Sequence, residues 1–474
     1  MGYPATQPES LQLYQSVNPV DGSVMASFPL TTPKDVDVIT GAAVRAQREW
    51  RQTPIVDRAN LLANIARLLR DDADNLARLA TLEMGKTLAE ARAEVLKCAW
   101  CCEFYASEGP GFLEPLPVAT SATESMIVMD PIGIILGIMP WNYPYWQVIR
   151  VLAPVLLIGN GMLVKHAENV PQCAQALGDI FDKAGLPEGL VANLFVTQAA
   201  VSNIINDGRV AAVSLTGSTR AGAAVASQAG AAIKRQVLEL GGSDPFVVLA
   251  DANLQLAASA AVQARFQNNG QSCLAAKRFI VVEEIADKFV ALLRERIEKL
   301  EVGDPMQSQT QVGPLAKISA CSDLTSAIEQ SISLGAELLL GGHKLGRIGN
   351  FFAPTLLDKV KPGMAAFDEE TFGPVAAVSR CRDLDDAIEL ANSSQYGLGA
   401  AIWTADRMKA IRFAQSVDSG MVVVNGVVAS DPRLPIGGVK RSGYGRELGA
   451  DALREFANVK SICINEMPCE GALS

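Results

Sequence analysis

Histidine is nearly missing from this sequence: of 474 residues, only His166 and His343 carry an imidazole. A Ser-His-Asp triad or a Cys-His pair would have to recruit one of them. His166 follows the apolar run Met162-Leu163-Val164 through Lys165, and His343 sits in the turn pattern Gly341-Gly342-His343-Lys344. A general base is therefore expected to be a carboxylate. Cysteine occurs nine times without regular spacing. Cys98-Ala-Trp-Cys101-Cys102 contains a CxxC, but no second pair follows at zinc-ribbon distance. Buried helix thiols in a reducing compartment are expected, and no metal.

Long apolar runs are also lacking. The most apolar stretch, Ile132 to Met139, is cut by Pro140-Trp141-Asn142-Tyr143-Pro144, well short of the ~20 residues that span a bilayer. The opening MGYPATQPES has neither a basic region nor an apolar core, so no signal peptide is expected and the protein reads as cytoplasmic. It fits the loose M-G-x-x-x-S/T acylation pattern, against which Tyr3 and Pro4 weigh. Positive charge is short too, with a net charge of −10 and an isoelectric point of about 5.0. That balance argues against nucleic acid or an anionic membrane surface as a partner. An anionic substrate would have to be held by local arginines.

What is present is ample core: 49% of residues are hydrophobic and 19% charged, in a chain long enough for two or three domains. Residues 1–30 read as an arm with short strands around the turn Val17-Asn18-Pro19-Val20-Asp21-Gly22. From Pro33 to about Ser107 the pattern is helical, with Leu61, Leu62, Ile65, Leu68 and Leu69 at helix spacing. Gly109-Pro110-Gly111 breaks it, and Pro115 to Asp130 reads as an extended hairpin. Strands then alternate with helices: Ile132–Ile138, Met162–Lys165, Val191–Phe195 and Val210–Thr216, separated by 145–157, 171–184 and 199–207. Such a rhythm implies a parallel sheet covered on both faces, with ligands at the carboxyl ends of its strands. A second alternating region follows Leu240-Gly241-Gly242, with strands near 246–249, 278–282, 337–340 and 376–379. The tail from Val459 to Asn465 returns to strand pattern, able to pair with the earlier hairpin or a neighbouring subunit.

Four stretches could carry chemistry. In Phe266-Gln267-Asn268-Asn269-Gly270-Gln271-Ser272-Cys273, Asn and Gly permit the positive φ that ends a helix. The thiol of Cys273 then sits beside exposed N–H groups that stabilise a thiolate and an oxyanion. Gly217-Ser218-Thr219-Arg220-Ala221-Gly222 puts a glycine and hydroxyls at a helix N-terminus, an anion-binding pattern whose alternative is a plain N-cap. Val237-Leu238-Glu239-Leu240 sets a carboxylate between leucines, where burial would raise its pKa toward that of a neutral-pH base. Asn142, between two prolines, could aim its amide at a developing negative oxygen.

Together PWNYP, VKHAE, GSTRAG, LELGG, FQNNGQSC, EETFGP and PIGGVKRSGYGRE resemble, in order and over essentially the whole chain, the NAD(P)-dependent aldehyde dehydrogenase superfamily. The detail of MPWNYPYWQVIR, ELGGSDPF, AKRFIV and SDPRLPIGG looks most like its bacterial succinate-semialdehyde dehydrogenase branch. The resemblance implies that Cys273 is the nucleophile, that Asn142 and the Cys273 N–H hold the oxyanion, and that Glu239 activates the hydrolytic water. It assigns Lys165 and Glu168 to the adenosine ribose, Ser218 to the pyrophosphate, Glu370 to the nicotinamide ribose and Phe372 to the nicotinamide ring, with Trp141, Gly217 and Leu240 in the same cradle. The usual Lys-Pro-Ala/Ser-Glu is here Lys165-His166-Ala167-Glu168. Glu168 should repel a 2′-phosphate, favouring NAD, while Lys165 admits NADP.

For a second, non-reacting carboxylate the resemblance offers Arg150 and Trp146 after PWNYP, and Ser430 and Arg433 on a late loop. Animal enzymes of this activity carry a further arginine just ahead of the first asparagine of FQNNGQSC, where this chain has Gln267. The implied architecture is α/β and aldehyde dehydrogenase-like. A Rossmann-type domain comprises 1–112 and 132–241, a catalytic domain 242–441, and a bridging oligomerisation element 113–131 and 442–474. A homodimer or homotetramer acting on a small aldehyde is expected. The competing readings are a broad-specificity aliphatic or aromatic aldehyde dehydrogenase, a CoA-acylating enzyme, and a non-catalytic, crystallin-like structural protein.

Overall fold

Three sheets organise the computed structural model, which describes residues 13–466; the M-G-x-x-x-S/T pattern lies outside them. The first is six-stranded, in the order Gly443–Tyr444, Arg235–Glu239, Val210–Thr216, Ile134–Ile138, Gly161–Lys165, Val191–Asn193. All its neighbours pair in parallel except Gly443–Tyr444, which runs antiparallel to Arg235–Glu239. Helices cover both faces, so Gly161–Lys165 is buried throughout, as the continuous apolar runs require. The strands expected from alternation are found here with ends shifted by no more than two residues. Arg235–Glu239 is an addition: its Arg-Gln start and its position directly behind an Ala-rich helix hide the strand pattern.

From Ile134–Ile138 the chain moves outward through Gly161–Lys165 and Val191–Asn193, then returns to the other side with Val210–Thr216. The strand order reverses between Ile134–Ile138 and Val210–Thr216. A crevice opens at the carboxyl ends of strands that part in this way. The loops entering it are Pro140–Pro144 and Gly217-Ser218. Helix starts are fixed by side-chain oxygens that accept otherwise orphaned N–H groups: Thr32, Thr87, Thr197, Ser218 and Asn253 all act so.

The second sheet has seven strands, in the order Glu337–Leu340, Thr355–Asp358, Val375–Cys381, Ala276–Val282, Asp244–Val248, Gly399–Trp403, Met421–Val424. Thr355–Asp358, Gly399–Trp403 and Met421–Val424 are further additions, short strands in which small or isolated apolar residues leave a weak period. In the third sheet Ala457–Ile464 pairs along its length with Glu124–Pro131, which also takes Leu116–Pro117. The tail thus meets the hairpin, one of the two partners its strand pattern allowed. The helical block resolves into Pro33–Trp50, Ile55–Asp71, Ala73–Met84 and Leu88–Ser107. Gly109-Pro110-Gly111 opens a one-turn helix, Gly109–Phe112, where only a break was expected.

The helix Trp146–Ile158 is buried on every side. No side chain of its own caps it. Instead Glu94 Oε1 accepts from the N–H groups of Tyr145 and Trp146 at 2.8 and 3.0 Å, and Glu94 Oε2 from Lys86 Nζ at 2.6 Å. A carboxylate at this helix end answers both the free donors and the dipole.

Candidate functional site

The helix Leu254–Phe266 gives way at Gln267–Gly270 to a tight turn in which Asn268, Asn269 and Gly270 have φ of 55°, 57° and 72°. Gly270 is obligatory, since a Cβ there would lie 2.3 Å from the Gly373 carbonyl oxygen. No regular ladder supports this backbone, so side-chain amides do. Asn268 Nδ2 donates to the carbonyls of Asn142 and Gln271. Asn269 Nδ2 donates to Gly85 and Pro314, and its Oδ1 accepts from the Gly313 N–H.

Two buried cations complete the support. Arg265 reaches the carbonyls of Ala276, Gly270, Thr371 and Gly373. Lys277 Nζ donates to those of Ser272, Cys273 and Ala275 at 3.0, 2.8 and 3.1 Å. The turn ends on Cys273, partly exposed, whose N–H has no protein acceptor among the described residues. Asn142 Nδ2 gives one hydrogen to Gln271 O at 3.1 Å, two residues before Cys273, which leaves its second hydrogen free.

Burial pushes the Cys273 thiol up to about 12, against the pull of Arg150 and Lys277, so it rests protonated and needs a base. Glu239 is the last residue of its strand, is buried, and carries an unpartnered Oε1. Burial raises its carboxyl to about 8; neighbouring Glu447 adds to the rise and Arg150 opposes it. The charge of Glu239 acts on the Cys273 thiol. Neither histidine is placed as a base, in line with the expectation of a carboxylate: His166 is tied through Nε2 to the Pro144 carbonyl at 2.7 Å and pushed down to about 4 by burial, and His343 bonds the Gly341 carbonyl in its turn. Cys98, Cys101 and Cys102 lie buried on one helix with thiols raised by burial. Among the described residues no three metal-binding side chains converge.

Cys273 opens on a cavity of about 210 Å³ whose walls include Lys97, Trp146, Arg150, Gln267 and Ser430. Arg150 is buried with its guanidinium against Glu447 and donates to Thr216 Oγ1 at 3.1 Å. Arg433 does not reach the lining: it pairs with Asp431 at 2.6 Å and lies over the Trp100 ring. Lys97, Lys277, Arg265 and Glu447 are additions to the residues expected from sequence. Lys277 and Glu447 sit inside the quoted motifs AKRFIV and GYGRE, the one signal that could have found them. A larger groove, about 780 Å³, between residues 30–37 and 196–209 shares none of these walls.

The crevice of the first sheet gathers the other expected residues. Ser218 caps the helix Thr219–Ala231, accepting from the Ala221 N–H. A Cβ at Gly217 would meet only Leu215, at 3.6 Å, so this glycine serves open access to backbone, not packing. Lys165 and Glu168 stand 3.8 Å apart at the end of their strand, and the charge of Glu168 also acts on Lys317. Trp141 and Phe372 meet edge to face, with ring centroids 5.7 Å apart. Glu370 accepts from the Gly242 N–H at 3.0 Å and presses on Gly241, where a Cβ would lie 2.4 Å from its carboxylate. Leu240 donates its N–H to Ser442 O and packs over Gly222. An anion-accepting helix end, paired cation and carboxylate, and an aromatic pair along one crevice fit a dinucleotide.

The chain matches the model of the aldehyde dehydrogenase family over residues 6–462. It is 45% identical over 447 residues to a succinate semialdehyde dehydrogenase, NAD(P)+, of Escherichia coli K12, covering 94% of this chain and 97% of that protein. It is 46% identical over 452 residues to succinate-semialdehyde dehydrogenase, NADP(+), 1 of Mycobacterium tuberculosis H37Rv, covering 95% and 99%. The crystal structure of succinic semialdehyde dehydrogenase from Streptococcus pyogenes in complex with NADP+ superposes with a TM-score of 0.93 at 36% identity, covering 96% of this chain and 100% of that one. The chain belongs to the aldehyde dehydrogenase family.

Proposed function

We propose that the protein oxidises succinate semialdehyde to succinate with NAD(P)+ and water. The observation that carries this is a nucleophile, Cys273, with the buried Glu239 and Asn142 near it in the fold, opening on a small cavity walled in part by Lys97 and Arg150. Cys273 Sγ attacks the aldehyde carbon while Glu239 takes the thiol proton. The oxyanion of the thiohemiacetal is held by Asn142 Nδ2 and the Cys273 N–H. Bound nicotinamide supplies the acceptor for the hydride that leaves this carbon. Once Glu239 has released that proton to solvent, its carboxylate deprotonates the water that cleaves the Cys273 thioester, and this second proton passes to the departing thiolate, releasing the acid and restoring the thiol. Trp146, Ser430 and Arg150 shape the pocket for a short, carboxylate-bearing aldehyde.

Lys165 with Glu168, the Gly217-Ser218 turn, Leu240, Trp141, Glu370 and Phe372 hold the dinucleotide. Glu168 weighs against a 2′-phosphate, and Lys165 with Lys317 weighs against that repulsion, so both NAD and NADP serve. Homodimers or homotetramers form through the third sheet, whose strand Ala457–Ile464 lies at the sheet edge and is largely exposed. A reducing cytoplasm suits the described cysteines, all free thiols, and no helix among the described residues is long and apolar enough to cross a membrane.

The test follows reduced-dinucleotide absorbance with succinate semialdehyde and with butanal, and product analysis with and without CoA. A several-fold preference for the acid aldehyde and a CoA-independent succinate product are expected. No reduction with any aldehyde, or a product that requires CoA, overturns the proposal. Light scattering decides the assembly.

A further inference from the structure

The cavity beside Cys273 holds two cations in different circumstances. Arg150 is 2% exposed and faces Glu447, so its charge is already answered. Lys97, from the helix Leu88–Ser107, has no carboxylate within ion-pair distance among the described residues. Its Nζ donates to Ser430 Oγ at 2.7 Å and lies 4.6 Å from the centroid of the Trp146 ring. Both partners are neutral and both line the cavity. The acids around it are engaged elsewhere. Glu94 is bound by Lys86, Glu90 accepts from Thr87 and the Asn268 N–H, and Asp431 is bound by Arg433.

Resting on the reading of a carboxylate-bearing aldehyde, we propose that Lys97, assisted by Ser430 and Trp146, binds the distal carboxylate of the substrate and sets the preference over neutral aldehydes. An ammonium has three donors, and Ser430 occupies one. The others are left for the substrate's carboxylate, and the Ser430 hydroxyl, already accepting from Lys97, keeps its own hydrogen for a carboxylate oxygen. The indole face of Trp146 tethers the charge in a wall that also carries the engaged carboxylates of Glu90 and Glu94. Arg150, answered by Glu447, instead keeps Glu447 from acting unopposed on Glu239.

The ionisation of Lys97 agrees with this geometry. Burial and the neighbouring Arg150 pull it down to about 8, with Cys98, Cys101 and Asp431 acting in the opposite sense. The charge is present below that pH and lost above it. KM for the anionic aldehyde should rise through about pH 8, and that for butanal should not.

The experiment measures kcat and KM of the full-length wild type, K97M, K97R and R150M with succinate semialdehyde and butanal, on both sides of pH 8 and at saturating dinucleotide. K97M should raise KM for succinate semialdehyde by about 10- to 100-fold, the worth of a charge-assisted hydrogen bond. Its kinetics with butanal should stay within about twofold of wild type, which also reports an intact fold, and K97R should recover most of the loss. The pH dependence of KM should vanish in K97M. R150M should lower kcat for both aldehydes. Equal losses on both aldehydes in K97M, or a preference that survives K97M and disappears in R150M, overturns the assignment while leaving the substrate reading intact. A wild type with no preference for succinate semialdehyde overturns the substrate reading and the role of Lys97 together.

Discussion

The turn that ends on Cys273 and the turn at Gly217-Ser218 both contain a glycine and lead from secondary structure to a candidate functional residue, yet they are held in opposite ways. At Gly217-Ser218 a parallel strand simply runs into a helix, and one N-cap hydroxyl completes the arrangement. At Cys273 the backbone leaves every regular pattern. Arg265 and Lys277, both fully buried, hold seven of its carbonyls or those nearby. Binding a phosphate requires only donors that a βα unit offers anyway. Placing a thiol, an amide and a carboxylate on one reacting carbon requires a fixed geometry that no standard element supplies. The difference predicts that damage at the first turn costs chemistry and damage at the second costs affinity.

The most severe break should be C273A. Aldehyde-driven reduction of the dinucleotide falls to background, while thermal melting stays near that of the wild type because the side chain is small and partly exposed. Retained turnover would remove the nucleophile from the reading. Next is E239Q, expected to lower kcat by about 10²- to 10⁴-fold, the range for a general base. The pH dependence gives the sign. A carboxyl raised to about 8 serves as a base only when ionised, so kcat with butanal should climb as pH passes upward through about 8. E239Q should lose that limb, and an unchanged profile would assign the ionisation to another group.

A subtler break at the same turn is K277M. It leaves three buried carbonyls without their donor, at about 1–3 kcal/mol for an unsatisfied group, and withdraws a charge that draws the Cys273 thiol down. Urea denaturation should show the loss of stability, and kcat should fall about 10- to 100-fold. A full loss of stability with unchanged kcat would make Lys277 a structural residue alone.

How far such sites are legible in sequence depends on how local their determinants are. Asn268-Asn269-Gly270 announces its left-handed turn because the residue types themselves permit positive φ. Glu239 announces its burial because leucines flank it in the chain. The parallel sheets show through the alternation of apolar runs, whereas Arg235–Glu239 and Gly399–Trp403 stay hidden as short strands with polar or small residues. Lys97, Arg265 and Lys277 look like surface charges one residue at a time. Only the packing of Leu88–Ser107 against Trp146–Ile158, and of the second sheet around the turn, buries or aims them. Arg433 shows the converse: a promising arginine is captured by Asp431, two residues earlier, outside the cavity.

The mildest prediction belongs to the open turn. S218A removes the oxygen that accepts from the Ala221 N–H, an N-cap loss of about 1 kcal/mol that the long, well-packed fold absorbs. The Ala221 N–H remains one of the donors of that helix N-terminus, so dinucleotide binding should weaken only a few-fold, read as a higher KM for NAD(P)+ with kcat unchanged. Because the helix end as a whole attracts the anion, a single hydroxyl contributes modestly. If S218A instead lowered kcat as strongly as K277M, the separation between a binding turn and a reacting turn would be wrong, and both would have to act on the same step.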